Sequence, residues 1–147
     1  MPDKETLDRA REDAAEGKSA STQAGEFVRE EVHHVREGKH GVRSSKQAIA
    51  IGLSKARRAG VKLPPPKGPA GIRKKAQQDT KAGERSHRTT SRTRQRATTK
   101  ALRRESRQGA SSNALSRQAK KATAKRTSAS RKRAAQKAAR TRQRLRS

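Results

Sequence analysis

The chain has 147 residues, 27% of them hydrophobic and 36% charged, and its formal net charge is +27. Phe27 is the sole aromatic residue and cysteine is absent, which excludes a disulfide framework and a thiolate metal centre. So little apolar surface against so much like charge predicts one small ordered unit and long stretches that do not compact.

The opening segment, residues 1–18, begins "MPDKETLDRAREDAAEG". It is acidic and polar, unlike a secretion signal. Leu7, Ala10 and Ala14 recur at spacings of three and four, so a short helix is expected, ended by Gly17. The longest apolar run is the six residues Ala48 to Leu53, far short of the ~20 needed to span a bilayer. A soluble cytoplasmic protein is therefore expected.

Residues 19–63 carry the folding signals. Over residues 21–37, Ala24, Phe27, Val28, Val32 and Val35 fall on one helical face. Glu31 lies in the middle of that face and must find a partner or water. Gly38 is a natural stop. Residues 45–59 read as a second helix with Ser44 as N-cap, Gln47 at capping-box spacing, and Gly60 with Val61 beyond its end. Ile49, Gly52, Leu53 and Ala56 share one face, with Ile51 opposite beside Gln47, Ser54 and Arg58. The two helices predict an αα-hairpin with a core of Phe27, Val28, Val32, Val35, Val42, Ile49, Leu53 and Ala56. So small a core, with Ile51 outward, predicts a homodimer, a partner protein, or packing by the N-terminal segment.

"LPPPKGP", Leu63 to Pro69, reads as a stiff polyproline-type spacer, placing a linker at residues 64–69. Residues 70–147 are low in complexity, with "RTRQR" at Arg92–Arg96 and again at Arg140–Arg144. Residues 1–66 hold 13 Lys/Arg and 10 Asp/Glu, whereas residues 67–147 hold 27 Lys/Arg and only Asp79, Glu84 and Glu105, a net charge of +24. Ala-rich stretches favour local helix, but like charges on neighbouring turns oppose it. The expected fold is thus mainly α: a small helical hairpin, about 21–60, with a long, largely disordered basic tail that folds on a polyanion.

Solubility alone would be served at least as well by Asp and Glu, so the tail's charge points to a polyanionic partner. The candidate contacts in it are Arg92, Arg94, Arg96, Arg103 and Arg104, then Lys120, Lys121, Lys125 and Arg126, then Arg131, Lys132, Arg133, Arg140, Arg142 and Arg144. Single-strand binders add aromatic stacking platforms, and this tail has none. Duplex DNA is therefore favoured over RNA, and a membrane is not expected because apolar anchors are lacking. On the hairpin, Arg43, Lys46, Arg57 and Arg58 are possible secondary contacts. Sequence-specific reading is not expected, because the Gly38–Ser44 connection is longer than a tight helix-turn-helix turn.

Glu30, His34 and Glu37 share a helix face at spacings that suit a divalent metal, but they lack a fourth ligand and read more simply as a solvated charged face. His33 points away from His34, and His87 stands alone in the tail. No nucleophile, base and orienting group come together on a rigid frame, and "GVRSSK" lacks P-loop spacing. No cofactor, metal or enzymatic activity is expected.

Residues 18–63 carry Lys39-His40-Gly41, then Ser44, Lys46 to Ile51, Leu53-Ser54, Ala56-Arg57 and Ala59-Gly60. This run, about a third of the chain, resembles a small bacterial domain family of unknown function. Members of that family often end in Lys/Arg/Ala-rich tails, and some are labelled DNA-binding. "STQAGEFVREE", Ser21 to Glu31, is similar to the family's longer form. By composition alone, the tail resembles those of linker histones and bacterial histone-like proteins. The resemblance implies a bacterial, nucleoid-associated or DNA-compacting accessory protein. The alternatives are an RNA- or ribosome-associated basic protein and a mostly disordered stress-related structural protein.

Overall fold

The computed structural model describes residues 1–85 and 91–146; His87 lies outside the described residues. Among these, seven α-helices and one 3₁₀ turn follow one another without a strand: α1 Lys4–Ala15, α2 Ala20–Arg36, α3 Ser45–Arg58, α4 Ala70–Glu84, α5 Arg92–Arg103, the turn Gln108–Ala110, α6 Ser112–Ala124 and α7 Ser128–Arg146.

The ends of the hairpin are set by local chemistry. Ser19 Oγ accepts from Thr22 N at the start of α2, and Ser44 Oγ from Gln47 N at the start of α3. Gly38 and Gly60 adopt φ of +78° and +95°, a region in which a Cβ is strained. Each places the next amide on an open carbonyl of the last turn: Lys39 N donates to His34 O (2.9 Å) and Val61 N to Ala56 O (3.0 Å). Val61 is buried beside Ala56.

Two apolar clusters lie along the hairpin. Ala10, Ala24, Phe27, Ala56 and Val61 form one, with Leu7, Leu53 and Leu63 packed against it. Val32, Val35, Val42, Ala48 and Ala110 form the other, flanked by Ile51 and Leu115. The face of α3 differs from the expected one. Ser45, Ala48, Gly52 and Ala56 are buried, while Ile49 is only half-buried. The reason is proximity: a Cβ on Gly52 would stand 2.6 Å from the Cα of Val28, so small residues set the α2–α3 seam. Ile51, expected outward, is half-buried against the second cluster.

The long disordered tail is not observed. Residues 70–84, 92–103, 112–124 and 128–146 are helical, and parts of them pack onto the hairpin. Penalties of ~0.2–0.5 kcal/mol per like-charged pair are spread along helices rich in Ala, Lys, Arg and Gln, all strong helix formers. Some apolar tail residues find cover: Ala76 is buried in α4, Ala110 joins the second cluster and Leu115 packs against it, while Ile72 and Leu145 stay exposed. Asp79 of α4, 2% exposed, accepts from Ser54 Oγ (2.7 Å), Arg58 Nε (2.8 Å) and Lys75 Nζ (2.6 Å). Burial raises the Asp79 pKa, but these hydrogen bonds outweigh it and hold the carboxyl below its ordinary range.

A second junction is made on backbone carbonyls of the tail. Gly41 N donates to Leu102 O (2.8 Å), Val42 N to Ser106 O (2.8 Å), and Arg36 Nε to Ala110 O (2.9 Å). A Cβ on Gly41 would stand 1.8 Å from the carbonyl oxygen of Glu105. No helix among the described residues is long and apolar enough to cross a membrane.

Candidate nucleic-acid interface

The first turn of α3 is where hairpin and tail meet most closely around open cations. Ser44 is extended (φ −158°, ψ 163°) and caps the helix. Gln47 Oε1 accepts from Arg43 N (2.6 Å), so the capping pair reaches one residue beyond the cap itself. Ser45 Oγ donates to Gly109 O (2.7 Å), seating the 3₁₀ turn against α3. Ser111 then caps α6, which runs past the same helix end.

The result is a groove of about 350 Å³ lined by Arg43 and Lys46 from the hairpin and by Arg117 and Lys121 from α6, with Ser44 and Gln108 between them. No carboxylate is among its lining residues. Glu105 Oε1 lies 3.6 Å from Arg43, whose side chain remains 80% exposed. The positive dipole end of α3 adds to the same field. Through Gln108 the groove adjoins a recess of about 600 Å³ that contains Arg36 and Arg107. A further recess of about 640 Å³ on α5 is lined by Arg96, Lys100, Arg103 and Arg104.

The tail residues singled out from the sequence are all exposed. Arg92, Arg94, Arg96 and Arg103 lie on α5, with Arg104 at its end. Lys120 and Lys121 lie on α6, and Lys125 and Arg126 follow it. Arg131, Lys132, Arg133, Arg140, Arg142 and Arg144 lie on α7. Of these, Lys121 is brought beside Arg43 and Lys46, and Arg144 donates to Gly17 O (3.2 Å), linking α7 to the end of α1. Two of the four hairpin cations are engaged elsewhere: Arg57 is buried and donates to Pro64 O (3.3 Å), and Arg58 is held by Asp79. Arg117 was missed by sequence reasoning. Its i, i+4 spacing to Lys121 places the two on one helix face, a signal present in the sequence.

Two carboxylates of the hairpin, Glu30 and Glu31, are turned inward. Glu31, 1% exposed, meets His40 Nε2 through Oε1 (2.8 Å) and Lys55 Nζ through Oε2 (2.8 Å). Glu30 accepts from Lys55 Nζ (3.0 Å) and from Asp3 N (3.0 Å). Burial lowers the pKa of Lys55, but Glu31 and Glu30 outweigh it and raise the ammonium above its usual value. Burial likewise raises Glu30, and the bonds from Asp3 and Lys55 bring it below the normal range. The spaced set Glu30, His34 and Glu37 does not converge: Glu37 is exposed and paired with Lys39 (3.2 Å), while His34 Nε2 faces Asp3 Oδ2 (3.2 Å).

Residues 15–67 match the model of a family of unknown function, DUF6496. The resemblance read from the KHG run and the helix after it therefore holds at the level of a family without an assigned activity. No curated protein and no solved structure matches the chain. The matched region spans α2, α3, the loop between them and residues 64–67 of the proline-rich linker. It supplies Arg43, Lys46 and Ser44 to the groove, while Arg117 and Lys121 come from outside it.

Proposed function

We propose that the protein binds duplex DNA without sequence preference, as a nucleoid-associated or DNA-compacting accessory protein. The observation that carries this reading is the groove in which Arg43, Lys46, Arg117 and Lys121 converge with no carboxylate in the lining. Four cations beside a helix N-terminus suit backbone phosphates, which need charge and N–H donors and convey no base identity. The exposed cations of α5 and α7 extend the contact along a duplex. The lack of any aromatic residue beyond Phe27, itself buried, supports a backbone grip over stacking on single strands.

A salt titration of binding to unrelated duplexes tests this. With 6–10 phosphates engaged, affinity falls ~10³–10⁵-fold between about 50 and 200 mM salt. The combined variant Arg43→Gln, Lys46→Gln, Arg117→Gln and Lys121→Gln should flatten the log–log slope by about one per lost contact. A flat salt response, or a variant with unchanged slope, would remove the groove from the mechanism. Preference for structured RNA in competition would favour the RNA-associated alternative.

A further inference from the structure

The loop between α2 and α3 brings His40 back over α2, onto the face that carries Glu31 and His34. Glu31 and His34 are separated by three positions on one helix, the Glu-x-x-His spacing that places a carboxylate and an imidazole side by side in helical metal sites. One ligand-type atom from each of Glu31, His34 and His40 lies within 4.8 Å of the other two. The rings of His34 and His40 meet edge to face, with centroids 6.5 Å apart.

We propose that Glu31, His34 and His40 form a binding site for a divalent transition metal of the zinc type. Two imidazoles with one carboxylate select such an ion over magnesium or calcium, which favour all-oxygen shells. Three protein ligands leave one tetrahedral position open to water. The surroundings orient the ligands. His40 Nδ1 lies 2.9 Å from Gly41 O, and a proton on Nδ1 donated there presents Nε2 as the free lone pair beside Glu31 Oε1. Lys55 Nζ holds the other oxygen of Glu31 at 2.8 Å, leaving Oε1 for the metal. Asp3, Glu30 and Glu31 stand near the ligands, with Lys55 paired to both glutamates and Arg9, Arg29 and Lys39 along the adjoining cleft. Of the three ligands, His34 lines an open cleft of about 260 Å³ beside Asp3 and Glu30, while Glu31 is buried and His40 half-buried behind it.

The competing arrangement is a metal-free ion pair in which His40 is an imidazolium bridging Glu31 and Gly41 O. Titration of the full chain with Co²⁺ alone separates the two. The proposal expects a visible ligand-field band that saturates at one equivalent, is displaced by Zn²⁺, and accompanies a Zn²⁺-dependent rise in the thermal midpoint. His34→Ala and His40→Ala should each weaken binding by more than the ~10–100-fold typical of losing an orienting contact, and His33→Ala should leave it unchanged. Absence of the band in wild-type protein with a native far-UV spectrum overturns the proposal without recourse to any variant. So does a band that survives His40→Ala, or one lost equally in His33→Ala.

Discussion

Within the hairpin and the helix before it, Glu30, Glu31 and Asp13 are buried and each meets a cation, whereas the arginines and lysines of α5 and α7 stand exposed on helices that bury no residue. The tail residues that touch the hairpin are mostly its few uncharged or acidic ones: Ala76, Asp79, Gly109, Ala110 and Leu115. Docking therefore consumes little of the positive charge. A chain of net charge +27 keeps a folded centre by pairing the few carboxylates it buries, Asp13, Glu30, Glu31 and Asp79, and leaving most tail cations exposed.

The comparison breaks most visibly at Phe27. It is the largest fully buried side chain, and Phe27→Ala should cost about 3–5 kcal/mol, collapsing the helical signal of the hairpin and of the tail segments docked on it in one melting transition. A midpoint that stays in place would show that the tail stands independently of the hairpin.

At the junction itself, Asp79→Asn should cost about 1.5–3 kcal/mol and release α4, read as faster amide exchange in residues 70–84 with α2 still protected. The carboxyl of Asp79 is held below the usual range, so its contribution is fully present above the unfolded value of about 4. It is lost as pH falls through the lower, folded value. The wild type should therefore lose stability on acidification over a range in which Asp79→Asn changes less; parallel pH profiles would contradict the assignment. The smallest structural effect belongs to α7. Lys132→Gln with Arg133→Gln should move stability by no more than about 0.5 kcal/mol, yet each substitution should reduce the salt slope of DNA binding by about one if it removes a phosphate contact.

The cap of α3 and the ends of both hairpin helices were legible because Ser44, Gly38 and Gly60 act through their own backbone neighbourhoods, whereas the Ser19 cap of α2 was not read. The facing of α3 was not, since a periodicity reading weights Ile49 above Ala48 and Gly52 and cannot see that the seam admits only small residues. The tail's attachment was hidden for another reason. Its acceptors are the carbonyls of Leu102, Ser106, Gly109 and Ala110, and a carbonyl leaves no mark in a sequence. Arg43 and Lys46 were visible as cations, but their convergence with Arg117 follows from that attachment.

The bond from Ser45 to Gly109 spans 64 positions, while α2 and α3 are separated by a single loop. The hairpin is thus assembled from near neighbours, and its cover arrives from far along the chain. During synthesis at ~5–20 residues per second, roughly 3–13 s separate the emergence of Ser45 from that of Gly109. Through most of that interval the groups that cover the Ile51 side of α3 and accept from the amides of Gly41 and Val42 have not yet been synthesised. The order of translation therefore makes the cover of the second cluster the last part of it to become available, supplied by the chain's own later segment.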